Sequence, residues 1–339
     1  MNKDTADTGL SDEPVDVSAV RIAVAGCGYW GRNLVRNFAQ LGSLDAVCDE
    51  NADAALDMAE THRVSARNWD DILNDPEIAA VAIATPAATH GEMAHAALSA
   101  GKHVFVEKPM ALDIETAKGL IAASKAAGRT LMVGHLLQYH PAFLALQELV
   151  QDGRLGKLQY IYSNRLNFGK MRHEENILWS FAPHDISMIL SLTGTAPHRV
   201  MAIGHSYLQP GVADTTTTHL SFPNGVNAHI YVSWLHPFKD QKLVVIGENG
   251  MAVFDDTQPW SDKLILYPHR VELGGRAPVA ERADGQAIAL TEQEPLREEC
   301  AHFLACVASG TTPRTNGAEG LRVLQVLHAA ESALGSNNG

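Results

Sequence analysis

Short apolar runs and helical patterns alternate along the first third of the chain. The runs Arg21–Ala25, Ile78–Ala84 and His103–Val106 have the length of strands that are buried on both faces. Between such runs lie segments such as Asp113–Ala127, in which apolar residues return with helical spacing. Strands that alternate with helices through short connections require a parallel sheet with right-handed crossovers. The pattern predicts an α/β domain over residues 19–135.

The period changes after this domain. A helix is predicted from Pro141 to about Gln151, and β-rich runs follow it. Asn-Gly pairs at 224–225 and 249–250 separate neighbouring runs, which is a strong hairpin signal. Six or seven strands predict a C-terminal α+β domain over 136–335 with a large, mostly antiparallel open sheet, one face covering helices and the other contacting a second subunit. The runs are Lys157–Asn167, Thr215–Phe222, Val226–Trp234, Lys242–Gly247 and Met251–Asp255, and the closing helices are about Glu294–Ser309 and Ala318–Leu334.

Three glycines follow the first strand with the spacing GxGxxG. Gly26 permits a tight turn, Gly28 lets the backbone approach a pyrophosphate, and Gly31 lets the next helix pack against the strand. The amino end of that helix offers free N–H groups to phosphate oxygens. Together these features predict a Rossmann dinucleotide-binding domain.

An acidic residue ends the second predicted strand. Asp49 follows Leu44–Cys48 and lies 18 residues after Gly31. A carboxylate at this point can accept both ribose hydroxyls of NAD and repels the 2′-phosphate of NADP. Arg63 and Arg67 come too late in the chain to be obvious ligands of that phosphate, although the fold could bring one of them near. The sequence therefore favours NAD over NADP.

Two further loops follow strands of the parallel sheet and belong at its carboxyl edge, where ligands bind. They are Thr85-Pro86 and Glu107-Lys108-Pro109. Lys108 comes directly after an apolar strand and before a proline that fixes the turn, which favours a functional role over a solvated surface position. Thr89 and Glu92 have the spacing of a capping box and predict the start of the helix after the first of these loops.

A second candidate site lies around His184. Pro183 suits the first position of a helix that ends before Gly194, which places His184 in the first turn. There the positive end of the helix dipole disfavours the imidazolium, whereas Asp185 favours it if its carboxylate is close. A packing histidine is the alternative interpretation. His90 and His95 lie five residues apart on one helix and do not match a metal pair, so no metal is predicted.

Composition narrows the class of protein. The chain has 339 residues, of which 46% are hydrophobic and 19% charged, as in a globular protein. Residues 1–18 form a polar tail without the apolar stretch of a secretory signal, and no apolar run reaches the length of a membrane span. The four cysteines show no metal or disulfide pattern. We expect a cytoplasmic protein that does not bind a membrane.

The net charge of the chain and its distribution limit the kinds of molecule that the protein can bind. A net charge of −13 argues against nucleic-acid binding. Residues 151–172, however, contain five basic residues against one acid, which would suit an anionic substrate; a solvated hairpin is the alternative. The basic residues are Arg154, Lys157, Arg165, Lys170 and Arg172.

The Gly26–Gly31 turn, the Glu107-Lys108-Pro109 motif and the Pro183-His184-Asp185 segment, in this order, resemble the Gfo/Idh/MocA oxidoreductases over essentially the whole chain after the tail. The resemblance implies that Lys108 and His184 lie beside the nicotinamide as the catalytic pair. Many members carry an aspartate four residues before this histidine, where this chain has Ser180.

A narrower resemblance, to the UDP-N-acetylglucosamine 3-dehydrogenase branch of the family, rests on the segments 134–141, 160–167 and 174–179. It implies an NAD-dependent dehydrogenase that oxidises the C3 hydroxyl of a nucleotide sugar. The broad predicted sheet favours a homodimer or homotetramer. Alternation along the strand puts Tyr162 and Asn164 on one face and Arg165 on the other, so all three reach a substrate only with a twist or bulge. Expected cofactor contacts are Gly26, Gly28, Tyr29, Trp30, Gly31, Asp49, Thr85, Pro86, His90, Glu107 and Lys108, and expected substrate contacts are Lys108, Tyr162, Asn164, Arg165, Trp179, His184 and Asp185.

Two alternatives remain open at this level. One is a dehydrogenase or reductase of a free sugar or inositol, for which the basic run would be mere surface. The other is a regulator that binds NAD or a sugar without turnover, although a pure sensor would need neither Lys108 nor His184. Which of the two residues is the formal base also stays open.

Overall fold

The structure is a computed structural model that describes residues 16–169, 171–173, 175–272, 274 and 277–336. Most of the predicted tail, together with Lys170 and Glu174, lies outside the described residues. Within them, no helix is long and apolar enough to cross a membrane.

The N-terminal part is a six-stranded sheet in the order β3-β2-β1-β4-β5-β6, and every pairing is parallel. This confirms the predicted Rossmann architecture. Strands β1, β4 and β6 are buried at every position, as their uninterrupted apolar sequence requires. The strands are β1 Ile22–Ala25, β2 Leu44–Cys48, β3 Ser65–Ala66, β4 Ala80–Ile83, β5 His103–Glu107 and β6 Leu131–Gly134, and the helices are α1 Gly31–Gln40, α2 Ala52–His62, α3 Trp69–Asn74, α4 Ala87–Ser99 and α5 Ile114–Ala127.

Local signals explain most helix ends here, with one correction. Asp113 caps α5 by accepting from the Thr116 amide, and Gly128 ends it in the left-handed conformation. The predicted capping box at Thr89 is wrong, because α4 already begins at Ala87 after Pro86. The Thr89 hydroxyl instead lies 2.7 Å from that of Thr85.

The C-terminal part contains an eight-stranded sheet in the order β16-β13-β12-β11-β7-β10-β9-β8, which confirms the predicted open sheet and extends it. All pairings are antiparallel except β7 with β10. Both Asn-Gly hairpins form. The strands are β7 Leu158–Phe168, β8 Arg199–His205, β9 Thr215–Ser221, β10 Asn227–Ser233, β11 Leu235–Gly247, β12 Met251–Asp255, β13 Leu264–Tyr267 and β16 Gln286–Ala287, with a separate hairpin of β14 Arg270–Glu272 and β15 Val279–Glu281; the helices are α6 Pro141–Gln151, α7 Ile177–Thr193, α8 Pro295–Ser309 and α9 Gly317–Ser336.

Helix α7 is longer than predicted. It begins after Asn176, whose side chain accepts from the Trp179 amide, so Pro183 lies inside the helix rather than at its first position. The predicted end is confirmed, since Gly194 closes α7 in the left-handed conformation. His184 therefore lies two turns into α7, away from the amino end.

The last two helices return to the N-terminal sheet. Phe303 of α8 packs edge-on against Phe105 of β5, with ring centroids 5.8 Å apart, inside one buried cluster. The Thr315 hydroxyl donates to the Val133 carbonyl at 2.7 Å. The division of the chain at residue 135 stays a prediction, and the core of the N-terminal part is completed by residues from the end of the chain.

Candidate active site

The glycine turn has the geometry that a dinucleotide requires. Gly26 has φ +95°, and a Cβ on it would lie 2.6 Å from the Ala84 backbone. A Cβ on Gly31 would lie 1.8 Å from the Gly26 carbonyl oxygen, so the helix packs closely against the turn. Gly28 instead has nothing within 4 Å of its Cβ position. This open side is where a pyrophosphate could approach the backbone.

A cavity of about 730 Å³ adjoins this turn. Asp49 lines it, and its carboxylate accepts hydrogen bonds from the amides of Cys27 and Asn51, the latter at 2.8 Å. The carboxylate thus holds the turn in place and retains acceptor capacity towards the cavity. The cavity is lined by Ala25, Gly26, Gly28, Cys48, Asp49, Glu50, Arg67, Asn68, Trp69, Ala84, Thr85, Pro86, Thr89 and Met93.

Arg67 is one of the lining residues that were not among the predicted cofactor contacts. It reaches the cavity because β3, a two-residue strand, pairs with β2 beside Asp49. Its guanidinium is paired with Asp75 at 2.5 Å and also donates to the Asp71 carbonyl. In this arrangement the cation is already neutralised.

Tyr29, Trp30 and Glu107 were predicted near the cofactor, and the structure brings two of them together. The Trp30 indole N–H donates to the Glu107 carboxylate. Burial raises the pKa of Glu107, and the hydrogen bond from Trp30 opposes that shift. Tyr29 projects from the turn with 88% of its surface exposed and has no role within this group.

His90 connects the two loops at the carboxyl edge of the sheet. Its ring nitrogens lie 2.8 Å from the carbonyls of Thr85 and Pro109. Burial lowers the pKa of His90, so the ring is neutral and can donate to only one of these carbonyls. His90 is buried and positions both loops, rather than lining the cavity as the sequence prediction implied.

Lys108 extends from the second of these loops to helix α7. Its ammonium donates to the Ser180 carbonyl at 3.1 Å. Burial lowers the pKa of Lys108, while Glu175 and Glu107 raise it. Ser180 therefore contacts the lysine through its backbone carbonyl.

His184 lies one turn after Ser180 on α7. Its pKa is held well below the ordinary value, first by burial and then by the positive charges of Lys108 and Arg165. The predicted effect of a helix amino end is wrong, because α7 begins earlier. The Nδ1 atom is buried without a hydrogen-bond partner among the described residues, so Nε2 is the nitrogen available to a ligand.

Arg165 and Asp185 form a buried pair behind this site. The guanidinium donates from Nε to one carboxylate oxygen at 2.7 Å and from Nη2 to the other at 3.1 Å. The Ser163 hydroxyl also donates to Asp185 at 2.5 Å. Both predicted substrate contacts are thus engaged with each other, and Asp185 is not the group that sets the pKa of His184.

Tyr162 and Asn164 lie on the opposite face of the sheet. Tyr162 stacks on His229 with ring centroids 5.4 Å apart, and Asn164 donates to Asp240 at 3.2 Å. The residues at 161, 163 and 165 are buried towards α7, which leaves 160, 162 and 164 on the outer face. The prediction that Tyr162 and Asn164 join Lys108 and His184 in one site of this chain is therefore wrong.

Trp179 is placed beside the site by contacts with α9. Its indole N–H donates to Glu331 at 2.8 Å, and its ring meets that of His328 edge-on. A cavity of about 380 Å³ lies here. Trp179, Glu175, His328 and Glu331 are among its lining residues.

The basic run does not converge. Arg165 is neutralised by Asp185, and Arg172 pairs with Glu175 at 3.0 Å. Arg154 and Lys157 are exposed near the start of β7, whereas Arg165 lies near its end. Charge counting in the sequence missed these pairings because the partner acids lie on other elements or outside the counted window.

A buried polar network that the sequence did not predict holds α7 through its residue Ser187. The Ser187 hydroxyl donates to Glu319 at 2.6 Å, and Glu319 also pairs with His135. Gln138 donates to the Ser187 hydroxyl and carbonyl at 2.9 Å.

In the described part of the chain no group of three acidic, histidine or cysteine side chains could hold a metal ion.

The fold and the site together define a nicotinamide-dependent oxidoreductase. Residues 20–135 match the model of the oxidoreductase family with an NAD-binding Rossmann fold, and residues 143–253 match the GFO/IDH/MocA C-terminal domain. The chain belongs to the Gfo/Idh/MocA family, which confirms the predicted family and enzyme class: an NAD(P)-dependent oxidoreductase of CH–OH groups.

The chain is similar to UDP-N-acetylglucosamine 3-dehydrogenase from Acidithiobacillus ferrooxidans, with 31% identity over 93% of this chain and 98% of that protein. A solved structure of that dehydrogenase has a TM-score of 0.81 at 29% identity, covering 93% of this chain and 97% of that chain. The chain is also similar to myo-inositol 2-dehydrogenase from Thermotoga maritima, with 26% identity over 93% of this chain and 96% of that protein.

Proposed function

We propose that the protein is an NAD-dependent dehydrogenase that oxidises the C3 hydroxyl of a UDP-linked N-acetylhexosamine to a ketone. The similarity to UDP-N-acetylglucosamine 3-dehydrogenase over almost the whole length of both chains carries the choice of substrate. The adjacency of Lys108 and His184 on two facing elements supports the chemistry, since a secondary alcohol needs a proton acceptor and an oxygen ligand.

The residues that would hold NAD are those around the glycine turn and its cavity. The open side of Gly28 receives the pyrophosphate, and the Asp49 carboxylate accepts the ribose hydroxyls. Thr85 and Pro86 line the same cavity, and Glu107 orients Trp30 beside the turn. NAD bound there would supply the hydride acceptor for oxidation of the sugar carbon.

Two side chains divide the remaining chemistry. His184 is neutral because of its lowered pKa, and its Nε2 takes the proton of the reacting hydroxyl. Lys108 donates to the same oxygen and stabilises the negative charge that develops there. The Ser180 carbonyl fixes the lysine, so that both groups are in place before the substrate binds.

A specific observation favours the second candidate, oxidation of an uncharged polyol such as inositol. Arg165 and Arg172 are both paired with acids, so neither is a free ligand for a diphosphate in this state. The similarity to an inositol dehydrogenase agrees with that candidate. Nucleotide-sugar binding would therefore require other donors or release of the Arg172–Glu175 pair.

The experiment is a direct comparison of substrates. The protein is incubated with NAD and UDP-N-acetylglucosamine, and the ketone is trapped with an aminotransferase and glutamate. A 3-amino sugar nucleotide, detected by mass spectrometry, supports the proposal. Turnover of myo-inositol or free glucose with none of the UDP-sugar overturns it in favour of the second candidate, and NAD binding without turnover of any substrate indicates a regulator.

We also propose that a second copy of the chain covers the outer face of the large sheet. Met201 and Ile203 are exposed there, and Tyr160, Tyr162 and His229 form a half-buried aromatic group beside them. Light scattering coupled to gel filtration tests this assembly. A dimer or tetramer that Ile203→Asp dissociates supports it, and a monomeric wild-type protein refutes it.

A further inference from the structure

A second cavity, of about 320 Å³, lies at the amino edge of the parallel sheet, opposite the glycine turn. It is formed where β5 and β6 begin, by the loop after α5 and the loop between α8 and α9. His103, Lys125 and Arg129 supply its titratable side chains, and no acidic residue lines it in the described part of the chain.

The two cations of this cavity are unpaired. Neither Lys125 nor Arg129 has a carboxylate within ion-pair distance among the described residues, and both side chains are exposed. The chain as a whole carries a net charge of −13. The cavity is therefore positively charged although the molecule as a whole is negatively charged, and positively charged cavities attract anions.

The hydrogen bonds of His103 show that the cavity lacks a hydrogen-bond acceptor. The Thr130 amide donates to Nδ1 at 3.0 Å, so the neutral ring carries its proton on Nε2. Nε2 in turn faces Nη1 of Arg129 at 3.2 Å. A guanidinium has only donors, so two N–H groups point at each other with no acceptor between them. The opposite tautomer removes this conflict only by creating the same one at the Thr130 amide.

A protonated ring does not resolve the conflict either. Burial and, second to it, the charge of the nearby Arg129 lower the pKa of His103 to about 4. No carboxylate of the described residues faces the ring from β5, β6 or the loop after α5. Among the described residues, neither His103 Nε2 nor Arg129 Nη1 donates to an acceptor.

We propose that this cavity is a binding site for a phosphate group, held by the Arg129 guanidinium, the Lys125 ammonium and the Nε2–H of His103. A phosphate oxygen that lies beside both nitrogens accepts from both once the exposed Arg129 side chain turns its N–H away from the ring, and this relieves the facing donors. Arginine forks bind phosphate in a bidentate manner, and the lysine adds a point charge. The volume suits inorganic phosphate or a small phosphate ester.

The test uses protein saturated with NAD, so that the pyrophosphate site of the Rossmann turn is filled. Inorganic phosphate is titrated against chloride at constant ionic strength, and the melting temperature is recorded. We expect a saturable rise in the wild type. In Arg129→Gln and Lys125→Gln the midpoint concentration should increase about tenfold, because each loses a charge-assisted hydrogen bond.

Arg297→Gln is the matched control, since Arg297 is an exposed arginine on α8 outside the cavity. It makes the same change of charge and should keep the wild-type midpoint. Histidine ¹⁵N resonances give a second readout: phosphate should shift the Nε2 signal of His103, which is identified by its loss in His103→Gln. No saturable rise in the wild type, or an unchanged midpoint in Arg129→Gln, overturns the proposal.

Discussion

The Lys108 ammonium donates to the main-chain carbonyl of Ser180, 3.1 Å away, and this one contact joins the nucleotide-binding sheet to the helix that carries His184. A backbone acceptor does this work whatever side chain occupies position 180. The lysine is therefore held without an acidic side chain at position 180.

Removing the imidazole of His184 should abolish most turnover and leave NAD affinity almost unchanged. Loss of a positioned acid–base group costs about 10²–10⁴ in rate. Steady-state kinetics of His184→Ala, with NAD binding followed by fluorescence, checks this. His198→Ala is the control, because His198 is exposed at the start of β8. Near-normal turnover of His184→Ala would remove this residue from the mechanism.

The pH profile of kcat/KM should have its acid limb well below 6.5, the ordinary pKa of histidine. Burial and Lys108 lower the pKa of His184, so the ring stays neutral until the pH falls through that lowered value. Lys108 must keep its proton to hold the substrate oxygen, and burial lowers its pKa below the ordinary 10.5. Activity should therefore also fall as the pH rises through this lowered pKa of Lys108. An acid limb at or above 6.5 would contradict the environment described for His184.

Asp49→Ala should weaken the binding of NAD and reduce the preference of the protein for NAD over NADP, because the carboxylate that repels the 2′-phosphate is removed. Asp49→Asn separates charge from packing: the amide oxygen can still accept one of the bonds from the Cys27 and Asn51 amides. Dissociation constants for both cofactors are the measurement. Equal affinity of the wild type for NAD and NADP would show that Asp49 does not read the ribose.

Arg67 offers the opposite change at the same cavity. Asp75→Asn removes the charge that neutralises the Arg67 guanidinium at 2.5 Å. The freed cation should improve NADP binding more than NAD binding, since only NADP adds a phosphate at the ribose. The same two titrations measure it, with Asp71→Asn as the control because Arg67 meets Asp71 only through its carbonyl.

Arg165→Ala should destabilise the fold by about 3–5 kcal/mol, because it leaves the Asp185 carboxylate buried without its cation. Replacing both partners, as in Arg165→Met with Asp185→Leu, should cost much less than the sum of the single changes. Urea unfolding of the wild type, Arg165→Met, Asp185→Leu and the double variant gives the coupling free energy. An additive result would mean that the pair is not formed in solution.

His90→Ala should lower the melting temperature and raise the KM for NAD with a smaller effect on kcat. The neutral ring donates to one of the part-buried carbonyls of Thr85 and Pro109, and that carbonyl loses its donor, which costs about 1–3 kcal/mol for a buried group. His90→Gln can restore one contact and should recover part of the loss. His95→Ala, on the exposed side of the same helix, serves as the control. A large loss of kcat alone would instead place His90 among the reacting groups.

Periodicity and turn chemistry in the sequence determined the elements and their order. Buried strands such as Ile22–Ala25, the glycine turn at Gly26 and the Asn-Gly hairpins are local signals, so the parallel sheet and the open sheet could both be predicted before any contact was known. Asp49 and Lys108 were found in the same way, because loops after parallel strands meet at one edge.

Only the tertiary structure decided which of the candidate residues face one another. Arg165 and Tyr162 are three positions apart on one strand, yet a period of two sends them to opposite faces, and the partner of each comes from an element distant in sequence. The start of α7 depended on a cap at Asn176 that an internal proline obscured. Charge pairing, burial and the pKa values that follow from them depend on distances between residues that are far apart in the sequence. Those distances are fixed only when the chain has folded.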